Sequence, residues 1–218
     1  MSSKTPFPVL YEDAELLIID KPAGLAVHPG PKTPHSLEDR LDELRFGYHR
    51  RPGPAHRLDR DTSGCLVLAR NPKALKRMHG LFEAGLVEKT YFAILTGTIE
   101  GEGIIDVPLK KISSKEDGWR MVVAEKGDSK SKEALTRWRA VKAAGTGRTF
   151  VEFKPATGRT HQLRIHAAHA LSPIAGDPVY GVGTGNEMEP MRLHARRIAF
   201  DWRGGRRIEV EAPVPFAP

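Results

Sequence analysis

The sequence predicts a mixed α/β (α+β) protein, and three observations predict it. Two apolar runs of strand length, Leu16-Leu17-Ile18-Ile19 and Cys65-Leu66-Val67-Leu68-Ala69, read as core strands. Three segments, 36–46, 72–84 and 160–171, carry helical spacing with start and stop residues at their ends. Further strand-like segments are set off by Gly, Pro and Ser turns. At 218 residues the chain is one large domain or two small lobes sharing a core.

Taken in order, Val9 to Tyr11 and Glu15 to Asp20 are short strands around the turn residues Glu12-Asp13. The second runs into Asp20-Lys21-Pro22-Ala23-Gly24-Leu25-Ala26-Val27-His28-Pro29, a punctuated turn and a short strand. Its role reads as structural, with no chemistry assigned to Lys21 or His28. Ser36 to Phe46 is a helix, with Ser36 and Asp39 as an N-cap pair and Leu37, Leu41 and Leu44 on one face. A basic link follows, from His49-Arg50-Arg51 to Pro52-Gly53-Pro54. After the strand at 65–70, Pro72 to Ala84 is a helix with Pro72 in its first turn and Gly85 just past its end. Leu75, Met78, Leu81 and Phe82 line its inner face. Val87 to Leu95 is a strand, 100–133 reads as exposed hairpins and mobile loops, and Ala134 to Val141 and Thr149 to Lys154 are strands. Thr160 is the expected N-cap of a helix reaching Leu171, stopped by Ser172-Pro173. The last strand is Ile208 to Glu211.

Composition excludes several classes. Hydrophobic content of 39% and charged content of 28% suit a soluble globular chain. No run approaches the ~18 apolar residues of a membrane span, and Met1 to Pro6 lacks the apolar core of a signal peptide. A single cysteine, Cys65, allows no internal disulfide and fits a reducing cytoplasm. The net charge of +7 is compatible with a polyanionic partner. Nine lysines and arginines against five acids between Lys110 and Arg139, and six arginines between Arg192 and Arg207, follow an RNA backbone or simply face solvent.

The chemistry concentrates at His56-Arg57-Leu58-Asp59-Arg60-Asp61-Thr62-Ser63-Gly64. One carboxylate, Asp59, sits among arginines on a turn-rich segment that enters a buried strand. Opposite charge nearby favours the charged form of a carboxylate, and a charged carboxylate is a nucleophile. Taken by itself the stretch is equally a solvated Asp-Arg turn. His161, His166 and His169 lack the partners and spacing of a metal site, so no metal is expected.

The stretch His56-Arg57-Leu58-Asp59, two residues, then Thr62-Ser63-Gly64 resembles the signature of the RluA-type pseudouridine synthases. Three further segments resemble that family's motifs in its order: Lys21-Pro22 with Gly24-Leu25; Lys89-Thr90-Tyr91-Phe92-Ala93; and Gly158-Arg159-Thr160-His161-Gln162-Leu163-Arg164. Asp177-Pro178-Val179-Tyr180-Gly181 is a turn that also recurs there. The resemblance implies the pseudouridine synthase fold, a mixed and largely antiparallel sheet flanked by helices with a basic active-site cleft. It implies a single catalytic domain over 1–218, core about 9–212, without a separate RNA-binding domain. It implies Asp59 as nucleophile, Tyr91 beside the uracil, Arg164 paired with Asp59, and Arg57 gripping a phosphate or filling the gap left by a flipped base. The implied activity is isomerisation of uridine to pseudouridine in ribosomal and/or transfer RNA, by a cytoplasmic monomer that needs no cofactor. The competing classes are a catalytically silent RNA-binding or folding-assistance protein on the same scaffold, and a hydrolase using Asp61 as second carboxylate.

Overall fold

A computed structural model of the chain describes residues 6–30, 33–114, 118–181 and 189–216. The residues read above as lacking a signal peptide, 1–5, lie outside that set, as do 115–117 of the basic 110–139 stretch. The strands are β1 (Val9–Glu12), β2 (Leu16–Lys21), β3 (Gly53–Pro54), β4 (Ser63–Ala69), β5 (Glu88–Leu95), β6 (Glu102–Asp106), β7 (Leu109–Ser114), β8 (Gly118–Val123), β9 (Leu135–Ala143), β10 (Thr149–Pro155), β11 (Leu193–Asp201) and β12 (Arg207–Glu211). Two α-helices, α1 (Pro72–Glu83) and α2 (Gln162–Ala170), and a 3₁₀ helix at Leu37–Leu44 complete the main elements. The chain divides into two compact units, Met1–Lys89 with His194–Val214, and Thr90–Leu193 with Pro215–Pro218.

In the first unit β4 is the spine. All seven of its residues are buried, which is why its sequence is a continuous apolar run rather than an alternating one. β2 pairs along its whole length on one edge, from Leu16↔Ala69 to Lys21↔Gly64, and β1 pairs with β2. β3 pairs with the end of β4 through Gly53↔Ala69 and Pro54↔Leu68. β11 runs parallel to the start of β4 through His194↔Ser63 and Ala195↔Gly64, and antiparallel to β12. Helix α1 buries Ala74 and Met78 against Leu16, Ile18, Cys65, Val67 and Phe200, with Leu75, Leu81 and Phe82 packed at the margin. Its ends are specified locally. The Asn71 side chain accepts the Ala74 N–H, Pro72 occupies the first position, and Gly85 (φ 69°) turns left-handed. The Gly85 and Leu86 N–H groups then return to the Phe82 and Leu81 carbonyls, a Schellman stop.

The second unit is an antiparallel sheet in the order β5-β10-β9-β6, a β7–β8 hairpin, and α2. Leu163 and Ala167 of α2 pack on Ala93, Leu95, Val151 and Phe153. Ile165, on another face, meets Leu109 with Met121 and Val123 at its margin, so the helix also seats the hairpin. The fold class is therefore mixed, largely antiparallel α/β, as the sequence implied.

Three local expectations change. The 36–46 helix is a shorter 3₁₀ segment, though Ser36 and Asp39 form the expected capping box and all three leucines are buried. Thr160 does not cap α2: the cap position falls on His161, in the left-handed region (φ 55°, ψ 19°), with no side-chain cap bond. The arginine-rich tail contains β11, a nine-residue strand hidden in the sequence because Arg196-Arg197 interrupts its apolar residues.

Candidate active site

In the first unit the His56–Gly64 stretch is a loop clamped at several points. The chain leaves β3 and runs back along β4: the Ala55 N–H donates to the Val67 carbonyl, and the Val67 N–H donates to His56 Nε2 at 3.0 Å. That bond fixes His56 as a neutral ring stacked 4.8 Å from Phe82. Loss of water around the ring, with help from the Lys89 charge, holds it down to about 3. A turn closed by Thr62 N–H on the Asp59 carbonyl (3.1 Å) then feeds the strand. Asp59 is half-buried, and Arg57 is exposed, its backbone bonded to the His56 ring.

The residues after Asp59 are dictated by packing. Gly64 has φ 109°, and a Cβ there would lie 2.3 Å from the Ala195 carbonyl oxygen, so only glycine lets β4 start beside β11. Ser63 Oγ lies 2.9 Å from His194 Nδ1, and His194 Nε2 donates to the Ala212 carbonyl at 3.3 Å. His194 is fully buried, and that burial pulls it down to about 4. Cys65 is a buried thiol pushed up to about 12 by the same cause, consistent with the inert role read from its setting.

Lys21 is a residue the sequence undervalued. It is fully buried, and its ammonium donates to the carbonyls of Pro22 (2.8 Å), Leu25 (2.8 Å) and Arg60 (3.1 Å). Two bonds shape the Lys-Pro turn, and the third ties it to the residue beside Asp59. Burial brings the amine down to about 8, against the raising pull of the Asp61, Asp59 and Asp20 charges. The role remains structural, as read, but what it supports is the loop carrying the candidate nucleophile.

In the second unit Tyr91 stands on β5 opposite Phe153, half-buried against the core that Leu163 closes. Arg164 occupies the first turn of α2, 5% exposed. Its Nε and Nη2 grip Asp177 Oδ2 and Oδ1 at 2.7 and 2.8 Å, and its guanidinium lies 5.1 Å over the Tyr180 ring. Burial alone would raise the Asp177 carboxyl; the Arg164 charge and the Val179 and Tyr180 N–H groups override it and hold it below its ordinary value. Asp177 is thus the carboxylate that sets the Arg164 guanidinium, a role no spacing in the sequence could pair. The turn Asp177-Pro178-Val179-Tyr180-Gly181 was the signal available.

The block before Arg164 is built by Gln162. Its buried amide accepts from Thr157 Oγ1 and the Arg159 N–H, and donates to the Leu135 carbonyl and Thr136 Oγ1. The loop is thereby stapled to β9, and this overdetermined geometry holds His161 left-handed at a cost of ~1–2 kcal/mol. His161 Nδ1 sits 2.9 Å from the Tyr180 hydroxyl, while His166 is buried between Thr136 Oγ1 and the Val107 carbonyl. No cluster able to hold a metal occurs among the described residues. No helix there is long and apolar enough to cross a membrane. Of the four expected site residues, Arg57 and Asp59 share the first unit, and Tyr91 and Arg164 share the second.

The sequence matches the RNA pseudouridylate synthase family over residues 15–169. It is 51% identical over 211 residues to an uncharacterised RNA pseudouridine synthase of Zymomonas mobilis, covering 96% of this chain and 94% of that one. It is 36% identical over 227 residues to ribosomal large subunit pseudouridine synthase D of Xanthomonas campestris, covering 96% of this chain and 66% of that one. The solved structure of human RNA pseudouridylate synthase domain containing 1 aligns with a TM-score of 0.81 at 28% identity, covering 100% of this chain and 87% of that one. The chain belongs to the RNA pseudouridylate synthase family, of the RluA type, and is an isomerase.

Proposed function

We propose that this chain converts a uridine to pseudouridine within folded ribosomal and/or transfer RNA, with Asp59 as the nucleophile. The clamped presentation of Asp59 supports this most directly: Lys21 from below, the His56 ring and the Gly64 close approach hold its loop. Rigid placement of a reactive group lowers the entropic part of its barrier.

Asp59 attacks the target nucleoside, either at the sugar C1′ or at the base C6. The N1–C1′ bond breaks, the uracil turns, a C5–C1′ bond forms, and the bond between Asp59 and the nucleoside breaks to return the free carboxylate. The C5 proton is then lost and N1 takes one up, so no redox partner or energy source is consumed. Arg164, set by Asp177, orients the Asp59 carboxylate through a charge-assisted pair. Tyr91 stacks near the uracil and assists removal of the C5 proton. The target base leaves the helix stack to be reached, and the exposed Arg57 guanidinium fills the gap or grips a phosphate. The chain acts in the cytoplasm, as a monomer and without a cofactor.

The hydrolase alternative loses ground to one contact: both Asp61 oxygens are engaged by Arg60 Nε and Nη2 at 2.9 and 3.0 Å. One assay separates the three classes. With RNA tritiated at uracil C5, a synthase releases tritium and leaves RNA mass unchanged, a hydrolase frees uracil, and a silent binder does neither. Release of tritium without free uracil is expected. Either other outcome overturns the reading.

A further inference from the structure

The basic link His49-Arg50-Arg51 has no part in the reaction above, yet it borders an open cavity of about 620 Å³ lying wholly within the first unit. Four arginines line this cavity, Arg45, Arg50, Arg51 and Arg70, with His49, against a single acid, Asp42. The first turn of α1 forms another wall through Asn71, Pro72 and Leu75, adding the positive end of a helix dipole.

This cavity is a constructed feature rather than a loose basic surface. Arg70, at the end of β4, has a side chain only 1% exposed. It donates to the Asp13 carbonyl, the Arg45 carbonyl and Glu12, and lies 5.6 and 4.3 Å from the Phe46 and Tyr48 rings. A fully engaged buried cation therefore anchors the 45–48 segment to the sheet. Arg45 is spent on Asp42 and on the His49 carbonyl, which closes the next turn. What the anchoring leaves on the rim is Arg50 and Arg51, both exposed and neither with a hydrogen-bond or ion-pair partner among the described residues. Two unspent guanidiniums beside a concavity match the bidentate geometry of phosphate oxygens.

Position says what the cavity serves. Gly53 pairs with Ala69 at one end of β4, and the Asp59 turn feeds Ser63 at the other. A seven-residue strand spans about 20 Å at ~3.3 Å per residue, so the cavity and the Asp59 turn stand at opposite ends of one strand.

We propose that the arginine cavity is an RNA-backbone docking site, binding phosphates of the substrate at the end of β4 opposite the uridine presented to Asp59. It rests on the reading of the chain as an enzyme acting on RNA. It contributes affinity and register, not chemistry.

Binding is measured by fluorescence anisotropy in the Asp59→Asn background, so that turnover plays no part, with a labelled RNA hairpin of about forty nucleotides across a salt series. Arg50→Glu/Arg51→Glu is expected to weaken binding at least ~tenfold. It should also reduce the slope of log K against log salt by about 1.4–1.8, the loss of two phosphate contacts. Arg50→Gln/Arg51→Gln should fall between the parent and the reversed pair. Lys76→Glu/Lys142→Glu, two exposed lysines outside the cavity and outside the basic 110–139 stretch, makes the same change in net charge and should leave the slope unchanged. An unaltered slope in the Arg50/Arg51 variants, or an equal loss in the lysine pair, overturns the docking site and leaves the enzymatic reading intact. Failure of the Asp59→Asn parent to bind RNA at all overturns both.

Discussion

Replacing Asp177 with asparagine tests how Arg164 is held. The Asp177 side chain is 0% exposed and that of Arg164 5%. Oδ1 of Asp177 accepts from Arg164 Nη2 and from the Val179 and Tyr180 N–H groups, while Oδ2 accepts from Arg164 Nε. Asparagine with its oxygen at the Oδ1 position keeps the first three bonds. It turns an NH₂ towards Nε–H, donor against donor, and removes the negative charge that grips the guanidinium through two bonds. Breaking one side of a buried ion pair costs ~3–5 kcal/mol, and the retained bonds place this change near ~3. For a chain of this size ~2–4 °C is lost per kcal/mol, so Tm should fall by ~6–12 °C. The measurement is thermal and urea unfolding of Asp177→Asn, Arg164→Met and the double variant. A coupling above ~1 kcal/mol is expected, because the two residues act as one unit. If the proposed orienting role holds, kcat on RNA should also fall ~100-fold with little change in RNA affinity. A variant within ~0.5 kcal/mol of the parent, or strictly additive energies, refutes the account of Arg164.

Other perturbations separate packing from chemistry. Gly64→Ala should cost more than ~3 kcal/mol, because its Cβ meets the Ala195 backbone. Gly24→Ala, also at positive φ but with nothing within 4 Å, should cost only ~1–2 kcal/mol; equal losses in urea unfolding would contradict the close-approach argument. His194 is held neutral at about 4 in the fold against an ordinary value near 6.5. The unfolded chain therefore binds the extra proton first as pH falls. The His194 contribution should be intact above pH ~6.5 and drop by about 3 kcal/mol towards pH ~4, beside a further loss from His56, held down to about 3 in the fold, and His194→Gln should remove its own share of that slope. An unchanged pH profile in that variant would assign the acid sensitivity elsewhere. Tyr91→Phe should lower kcat while sparing RNA affinity, since the ring and its packing remain; a loss confined to affinity would remove Tyr91 from the chemistry.

Much of this was legible in the chain itself, for physical reasons. β2, β4 and α1 declared themselves because burial on all sides enforces continuous apolar runs, and because Asn71, Pro72 and Gly85 mark helix ends locally. The Asp59 loop was legible as a motif. Its supports were not, because Lys21, Ala195 and His194 reach it through contacts between residues distant in sequence. β11 was obscured by Arg196-Arg197, whose charges sit between the buried residues Leu193 to Ala195 and Ile198 to Phe200. The left-handed His161 also lay beyond reach, since the bonds that fix its loop run through the Gln162 amide to Arg159 and to Leu135 on β9.

The most direct measurement is tritium release from C5-labelled RNA by Asp59→Asn. The substitution keeps the side chain's size and leaves the Lys21, His56 and Gly64 supports in place. No release above background, with RNA affinity and melting temperature close to the parent's, is the predicted result. Release at the parent's rate would contradict Asp59 as nucleophile.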